Sequence, residues 1–395
     1  MLNLAGLHTP VNTGVFQDIT RRIQDQKDFR VPIIWGIGCP VWTAGKHPEL
    51  ASYRFPKVNG PTDNLGALAI LTAATFGGRQ KAKGVVERFL DQRALAEILR
   101  MFTPFLEDGA RHGNLEILQA AMTARRPFSF VAIYDDGEPE GIADSTLKLY
   151  GLSNRLYRPN TLNVKKIFTR LPTFAWMGDQ PMNKEDVDEA LLSAAISGKD
   201  FSPHMVDKFP LYIHRINALE MEVRITDQHK VRLGAYLGAG TTLMPGASYI
   251  NFNAGTEGPA MVEGRISSGA FVGAGSDVGG GASMLGILSG GNDVPISVGR
   301  NCLLEVNSTL GIPLGDCCIV ATETAVMAGT KVLVNLEGHP LNGTVVKGSD
   351  LVGINAVTFR RNDETGAMEV VRTARNVKAA NLLADGSTIL NADLH

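Results

Sequence analysis

The chain has 395 residues, 44% of them hydrophobic and 20% charged, with a formal net charge of −2. This composition suits a globular protein with more than one domain. It lacks the overall basic charge of a nucleic-acid binder. No stretch approaches the roughly 18 uninterrupted apolar residues of a membrane span, so neither nucleic acid nor membrane is expected as a partner.

The cysteines and the first residues of the chain bear on its location. Cys39, Cys302, Cys317 and Cys318 show no CxxC spacing, so they predict neither a zinc site nor a disulfide framework. The opening MLNLAGLHTP has no charged start followed by an apolar run. We therefore expect a cytoplasmic location and no targeting segment.

Residues 1–225 are predicted to form a mixed α/β domain without internal repeats. Val15, Ile19 and Ile23 have the i, i+4 spacing of an amphipathic helix. The segment 83–102, KGVVERFLDQRALAEILRMF, is rich in strong helix formers and predicts one longer helix.

Two strands and another helix complete this domain. VPIIWGI (31–37) and FSFVAIY (128–134) are apolar with β-branched or aromatic residues, which is typical of buried strands. Asn183 precedes an acidic first turn and then an apolar pattern, which predicts an N-cap and a helix.

From Val231 the sequence repeats with a period of six, which fits neither an α-helix nor a simple strand. This period is typical of the hexapeptide solenoid, in which three short strands build one triangular turn and an aliphatic side chain points inward. We predict a left-handed parallel β-helix over 226–335, with a loop excursion near 284–295. The repeated aliphatic or aromatic positions are Val231, Leu237, Leu243, Tyr249, Ile266, Val272, Val278, Val298, Leu304, Leu310, Leu314, Val320, Val326 and Val332.

The glycine-rich stretch FVGAGSDVGGGASMLGILSGG (271–291) has two possible interpretations. A dinucleotide-binding loop requires a strand before the glycines and a regular helix after them, and the glycines that follow do not suit a helix. The stretch is in phase with the repeat at Val272 and Val278. We therefore predict that its glycines form corners of coils, where positive φ is common.

Residues 336–395 are predicted to form a small C-terminal β cap over the last coil. The pattern AVTFRRNDETGAMEVV indicates a hairpin with its turn at about 362–366.

The solenoid offers few catalytic side chains. It has no histidine between Val231 and Asn335, which argues against histidine-dependent acyltransferases and γ-class carbonic anhydrases. Glu263 and Arg265 interrupt a small and apolar register and, two residues apart on a strand, would face the same side. They are either functional or a surface ion pair.

Several long motifs carry a specific resemblance. They are NFNAGTEGPAMVEGRISSGAFVGAGSDVGGGASMLGILSGG, ISVGRNCLLEVNSTLGIPLGD, MAGTKV and FRRN. Together they resemble the tetrahydrodipicolinate N-succinyltransferases, in their long-chain form, within the hexapeptide-repeat acyltransferase superfamily. The similarity is dense from about 231 to 332 and faint before 205.

The resemblance implies transfer of succinyl from succinyl-CoA to the amino group of ring-opened tetrahydrodipicolinate, L-2-amino-6-oxopimelate, in the diaminopimelate and lysine pathway. It also implies a homotrimer with active sites between neighbouring β-helices and no tightly bound cofactor. Two alternatives stay open: an N-acetyltransferase acting on the same small dicarboxylic amino-acid acceptor, and a non-catalytic β-helix scaffold.

The resemblance also implies roles for individual residues. Glu263 matches the catalytic glutamate, acting as general base or as nucleophile, and Arg265 matches a contact to the succinyl-CoA ligand. The further CoA contacts implied by the resemblance are Gly280, Ser283, Gly329, Lys347, Arg360, Arg361, Asn362 and Asp363. Val306, Ala321 and Thr322 match contact positions but differ in residue type, so backbone or packing contacts are expected there. A solvated side chain is the simpler alternative for each basic residue.

One departure concerns metal binding. Some long-form members have acidic residues that bind metal ions on the trimer axis, at positions that here hold Lys230 and Ala247. Neither side chain is a carboxylate ligand, so an axial magnesium ion is predicted to be absent.

Overall fold

The structure is a computed structural model that describes residues 11–76, 83–106, 113–124, 126–214, 222–286 and 294–391. The chain divides into two compact units. One comprises Met1–Gly151, Leu162–Pro210 and His214–Asn217, and the other comprises Leu152–Thr161, Leu211–Ile213 and Ala218–His395. Within the described residues, no helix is both long and apolar enough to cross a membrane.

The first unit is built on an antiparallel sheet with the strand order β2-β1-β5-β4, in which β3 also pairs with β1. A small sheet has the order β7-β6-β8. The strands are β1 (Ile34–Trp42), β2 (Leu50–Arg54), β3 (Val58–Asn59), β4 (Val85–Leu90), β5 (Phe128–Ile133), β6 (Phe174–Met177), β7 (Gln180–Met182) and β8 (Met205–Asp207). The helices are α1 (Thr13–Gln24), α2 (Leu65–Phe76), α3 (Gln92–Met101), α4 (Thr103–Leu106), α5 (Gly113–Ala124), α6 (Ile142–Ser153), α7 (Ile167–Arg170) and α8 (Lys184–Ser197).

The single helix predicted over 83–102 is wrong. Residues 85–90 form strand β4, which pairs with β5 along its whole length, and only then does α3 begin. Val85 and Val86 are β-branched and favour a strand. The Asp91 side chain accepts a hydrogen bond from Ala94 N at 2.7 Å and so caps α3. Sheet pairing therefore overrides the helix propensity of the first half of this segment.

The strands predicted at 31–37 and 128–134 and the two shorter helices are confirmed. Asn183 caps α8 by accepting a hydrogen bond from Asp186 N at 2.9 Å. In α1 the buried apolar side chains are Phe16, Ile19 and Ile23, so the inner face lies one residue away from the predicted Val15.

The second unit is a parallel β-helix whose strands form three faces. The first face has the order β10-β13-β16-β19, and the third has the order β12-β15-β18-β21-β23. The second face begins β9-β11-β14-β17-β20-β22 and continues through β26, β27, β24 and β25. Strands β9 to β18 are Arg224–Ile225, Tyr236–Leu237, Thr241–Leu243, Tyr249–Ile250, Gly255–Thr256, Ala260–Val262, Arg265–Ile266, Phe271–Val272, Ser276–Val278 and Ser283–Met284. Strands β19 to β27 are Ser297–Val298, Leu303–Leu304, Thr309–Leu310, Ile319–Val320, Ala325–Val326, Lys331–Asn335, Val345–Lys347, Thr358–Arg361 and Met368–Val371.

The aliphatic ladder of the repeat is the core of this unit. Every predicted inward position except Tyr249 is buried, with relative exposure of 4% or less. At that position the core residue is Ile250, which is fully buried, because the corner MPGAS lengthens the step from Leu243 to seven residues. The prediction for Tyr249 is therefore wrong by one residue.

The glycine-rich stretch forms coils, as predicted. Its described part contains β16, β17 and β18, and no helix follows up to residue 286. Gly275 and Gly281 have φ of +77° and +72°, and a Cβ at either position would lie within 2.2 Å of an asparagine Oδ1 of the next coil. Glycine is therefore required at both corners. The predicted excursion near 284–295 falls largely on 287–293, outside the described residues.

The C-terminal segment continues the second face. Strands β26 and β27 form the predicted antiparallel hairpin, with Phe359 opposite Val370. This hairpin lies between β22 and β24 in the sheet. Helix α9 (Ala374–Ala384) follows, and its Asn376 donates a hydrogen bond to Cys317 O at 3.0 Å.

A charged cluster around Glu257 joins coils of the second unit. The Glu257 carboxylate accepts hydrogen bonds from Arg300 Nε at 3.0 Å and from Arg158 Nη2 at 2.9 Å. These guanidinium groups, Arg300 above all, lower the pKa of Glu257 to about 2. Two cations on one largely buried carboxylate satisfy its hydrogen-bonding capacity.

We expect Leu304→Ala to lower the free energy of unfolding by about 2–5 kcal/mol, because Leu304 is 1% exposed and its truncation leaves a cavity in the ladder. The matched control is Val345→Ala, at a side chain that is 63% exposed, with a change within about 0.5 kcal/mol. Urea titrations of both variants measure the difference. Equal effects of the two substitutions would contradict the proposed core.

We expect Glu257→Gln to destabilise the protein at pH 7 by about 1.5–3 kcal/mol, the usual worth of charge-assisted hydrogen bonds. The pKa of Glu257 is depressed in the folded state, so its contribution is complete above the unfolded value of 4.5 and disappears as the pH falls towards about 2. Urea midpoints of variant and wild type should therefore converge between pH 5 and pH 2.5. A constant difference across that range would contradict the role of the charge.

Candidate active site

One row of residues runs down a corner of the β-helix. The register aligns Val262, Val278, Leu304, Val320 and Phe359 on successive strands of the second face. We call the two residues that follow each of these positions the corner row. They are Glu263, Gly264, Gly279, Gly280, Glu305, Val306, Ala321, Thr322, Arg360 and Arg361.

Backbone hydrogen bonds hold the corner row in step. Glu263 N donates to Val278 O at 2.8 Å, and Gly279 N donates to Leu304 O at 2.8 Å. The same bond recurs from Ala321 N to Phe359 O at 2.9 Å. With adjacent strands about 4.8 Å apart, the row from Glu263 to Arg360 extends about 19 Å. This arrangement suits a long, extended ligand.

Glu263 lies at one end of the corner row with its carboxylate over a glycine corner. A methyl group at position 280 would lie 3.5 Å from Glu263 Oε2. The Glu263 side chain is half-buried and has no hydrogen-bond partner among the residues that the structure describes. Its carboxylate is therefore open to a ligand that passes Gly280.

Arg265 and Ser283 are brought together on the third face. They are directly opposite in the register of β15 and β18, and Arg265 Nη2 and Nε donate to Ser283 Oγ at 2.6 and 3.2 Å. Arg265 is exposed and pairs with no carboxylate in the described part of the chain. The guanidinium is thus oriented by Ser283 while its charge remains available to an anion.

Asp277 is an acidic residue of this region to which the sequence analysis gave no role. It lies on the outer side of β17, between Met261 on β14 and Leu303 on β20. Burial between these apolar neighbours, together with the charge of Glu263, raises the pKa of Asp277 to about 6. In the sequence, the only indication of this site is that Asp277 lies between Ser276 and Val278, the alternation of a short strand in which the acid faces outward.

Glu305 occupies the middle of the corner row and is already engaged. Its carboxylate accepts hydrogen bonds from Thr322 N at 3.0 Å and Thr322 Oγ1 at 3.2 Å, and it pairs with Arg375 of α9. The Thr322 N–H, an expected backbone contact, is therefore occupied by Glu305. Val306 is 51% exposed beside it, and Ala321 completes the corner.

The segment Arg360–Asp363 lies at the far end of the row. Arg360 Nε pairs with Glu369 Oε1 at 2.9 Å, and Glu369 is almost fully buried. Asn362 Oδ1 accepts from two backbone N–H groups of the hairpin turn, those of residues 364 and 365. Arg361 and Asp363 are exposed. Of the two arginines, Arg361 therefore has the less compensated charge.

Gly329 and Lys347 are not part of the corner row. They lie near each other at a corner after the third face, where Gly348 N donates to Thr330 O at 2.8 Å. Both positions are accessible, with space around Gly329 and an exposed Lys347. Within one chain, Gly329 and Lys347 are therefore separated from the predicted CoA contacts that lie on the corner row.

The positions matched to a metal site do not fit a cation. Lys230 Nζ donates to Gly246 O at 2.9 Å, directly beside Ala247. An ammonium group therefore lies where the matching acids would provide negative charge, and residue 247 offers no ligand oxygen from its side chain.

Comparisons with known proteins cover both units. The family model described as "Tetrahydrodipicolinate N-succinyltransferase N-terminal" matches residues 14–169. This match extends the relationship into the region where the sequence motifs are faint.

Relatives of known assignment match almost the whole chain. A 2,3,4,5-tetrahydropyridine-2,6-dicarboxylate N-succinyltransferase from Sulfurovum sp. (strain NBC37-1) is 35% identical over 98% of this chain and 100% of its own. The protein of the same name from Campylobacter jejuni is 42% identical over 91% of this chain and 96% of its own.

A solved structure shows the same fold. A crystal structure from Campylobacter jejuni, of a protein assigned as a 2,3,4,5-tetrahydropyridine-2-carboxylate N-succinyltransferase, has a TM-score of 0.86 and 36% identity. It covers 94% of this chain and 99% of its own. On this evidence the chain belongs to the tetrahydrodipicolinate N-succinyltransferase family.

Proposed function

We propose that the protein transfers succinyl from succinyl-CoA to the amino group of ring-opened tetrahydrodipicolinate, in the diaminopimelate and lysine pathway. The observation that carries this proposal is the corner row, which has the Glu263 carboxylate at one end, with Asp277 beside it on the adjoining strand, and the arginines Arg360 and Arg361 at the other end. The family relationship supports the same reaction.

The acidic end is the reaction centre in this proposal. An ammonium group must lose a proton before its nitrogen attacks a thioester, and a carboxylate serves as the base. Glu263 contacts the reacting groups, either as that base or as a nucleophile that forms an acyl anhydride. Backbone N–H groups of the glycine corners stabilise the oxyanion.

Arg265 selects the donor. Its guanidinium, held by Ser283 at 2.6 Å, binds the distal carboxylate of the succinyl group, which an acetyl group lacks. This orientation favours succinyl-CoA over acetyl-CoA as the donor.

CoA lies along the corner row. Gly280, Val306 and Ala321 offer backbone and packing contacts. Thr322 contributes less than expected because its N–H is bound by Glu305. The phosphates of CoA are bound by the exposed basic groups at the far end, Arg361 above all, with Arg360, Asn362 and Asp363 shaping the turn.

A homotrimer completes the site. Gly329 and Lys347 lie on a different corner from Glu263, so they reach CoA only if a neighbouring copy provides them.

The coils turn left-handed in this proposal, and the domains are 1–225, 226–335 and 336–395. No axial magnesium is needed, since Lys230 already binds Gly246 O. The reaction takes place in the cytoplasm, in line with four free cysteines.

The reaction is tested by thiol release from succinyl-CoA with and without tetrahydrodipicolinate. We expect acceptor-dependent release, little release from acetyl-CoA, and a loss of at least about 100-fold in Glu263→Gln. The exposed Asp188→Asn on α8 is the matched control and keeps full activity. Release from acetyl-CoA alone would identify an acetyltransferase, and no release from a folded trimer would identify a scaffold.

Gly280→Ala tests the open space beside Glu263. The added methyl group makes only ordinary contact, 3.5 Å from Glu263 Oε2, so we expect unfolding free energy within about 0.5 kcal/mol of wild type. Turnover should fall at least tenfold because the methyl group occupies the ligand's path. Activity assays and urea titrations are run together on each variant.

Glycine-to-alanine substitutions at two other positions serve as controls for Gly280→Ala. Gly279→Ala would put a methyl group 2.8 Å from the carbonyl oxygen of Leu304 and should cost about 1–3 kcal/mol of stability. Gly137→Ala meets nothing within 4 Å and should change neither stability nor turnover. Full activity of Gly280→Ala would contradict the proposed ligand path.

A further inference from the structure

Asp277 lies in an apolar strip on the outside of the solenoid. Its neighbours in the strand, Ser276 and Val278, are buried on the inner side, so the Asp277 side chain points outward. The residues opposite it on the adjoining strands are Met261, 6% exposed, and the half-buried Leu303. Placing a carboxylate between two apolar side chains costs free energy unless a cation or a hydrogen-bond donor binds it.

Each of the other half-buried or buried acids described in the second unit has a partner for its carboxylate. Asp316 and Asp227 accept hydrogen bonds from the backbone N–H groups of Arg300 and His229, at 2.7 and 2.9 Å. Glu257 binds two arginines, Glu305 pairs with Arg375, and Glu369 pairs with Arg360. Asp277 has neither an ion pair nor a hydrogen bond to its side chain among the described residues, and the same is true of Glu263. These two acids are the ones left available for a cationic ligand.

Glu263 and Asp277 face the same space. Glu263 N binds the carbonyl of Val278, the residue after Asp277, so the two acids are diagonal neighbours on adjoining coils. The position directly opposite Glu263 is Gly279, which has no side chain to fill the gap. Two charged groups on the adjoining coils face Asp277. Glu263, which follows β14, is one of them. The other is Glu305, which follows β20 and whose charge is compensated by Arg375 of α9.

We propose that Asp277 is a second catalytic carboxylate, which binds the acceptor's ammonium group beside Glu263 and takes its first proton. This assignment rests on the proposed function and deepens it. The ligand class is a primary ammonium group of an amino acid. Two unpaired carboxylates attract that group, and the missing side chains at positions 279 and 280 leave room for it.

The step balances in protons and electrons. The ammonium group gives one proton to the Asp277 carboxylate, and the freed nitrogen lone pair forms a bond to the thioester carbon. The C–S bond then breaks, and its electron pair leaves with the CoA sulfur. Glu263, acting as base, takes the second proton from the nitrogen and passes it to that sulfur, and Asp277 releases the first proton to water.

The environment of Asp277 suits this role. Burial and the Glu263 charge raise the pKa of Asp277 to about 6, which makes it a stronger base than an ordinary carboxylate while it remains ionised at neutral pH. Below about pH 6 it is protonated and cannot accept a proton. The rate should therefore fall as the pH drops through this value.

The test compares wild type and Asp277→Asn, a substitution of equal size that removes no hydrogen bond seen in the structure. We expect kcat/KM for the acceptor, which reports groups of the free protein, to fall about 100-fold or more. The acid limb near pH 6 in wild type should disappear in the variant. The Kd of succinyl-CoA, measured by calorimetry, should stay within threefold of wild type.

Chemical rescue separates catalysis from structure. Formate added to Asp277→Ala should restore part of the lost turnover by acting as the missing base, and it should not restore Glu263→Gln. If Asp277→Asn keeps the wild-type rate and acid limb, the assignment is overturned while the proposed function stands. Loss of succinyl-CoA binding with turnover would also overturn it, in favour of a structural role. If wild type itself releases no thiol, the proposed function fails and the assignment falls with it.

Discussion

The stacking of parallel coils on one aliphatic ladder is the constraint on which the site depends. Each coil repeats the inward position of the coil before it, as in the series Val262, Val278 and Leu304. The spacing of about 4.8 Å between strands is then fixed by backbone hydrogen bonds. Residues far apart in sequence, such as Glu263 and Arg360, consequently lie on one straight row, and an extended ligand meets them in order.

The same constraint explains how charges are distributed on the outside. A strand of two or three residues leaves few outward positions per face, so an acid there has close neighbours on both adjoining coils. Glu305 pairs with Arg375 and so attaches helix α9 to the coils, whereas Glu369 pairs with Arg360 within the C-terminal hairpin. Asp277 and Glu263 have no such partner among the described residues. An acid without a cationic partner is therefore a better candidate for a catalytic residue than an acid that is already paired.

The sequence predicted the solenoid well, because the inward ladder is a local pattern that each coil repeats. The sequence was a poorer guide at positions whose secondary structure or role is determined by a contact with residues far away in the chain. Residues 85–90 have good helix formers around them, yet pairing with β5 makes them a strand. The role of Glu305 depends on Arg375, 70 residues away, and no spacing rule reveals that pair. Glu263 and Arg265 stood out as charges in an apolar register, whereas Asp277 gained meaning only from its neighbours across the strands.

The division between an inward ladder and outward corners also explains how a corner can carry a charge without disturbing the core. Lys230 places an ammonium group at one corner, while the ladder residue Val231 next to it stays fully buried. The backbone is held by neighbouring coils, and the Lys230 ammonium group is satisfied by the Gly246 carbonyl. Corner positions are therefore free to gain or lose ligands, provided that each buried charge finds a partner. A charge without one, as at Asp277, persists only where a ligand supplies the partner.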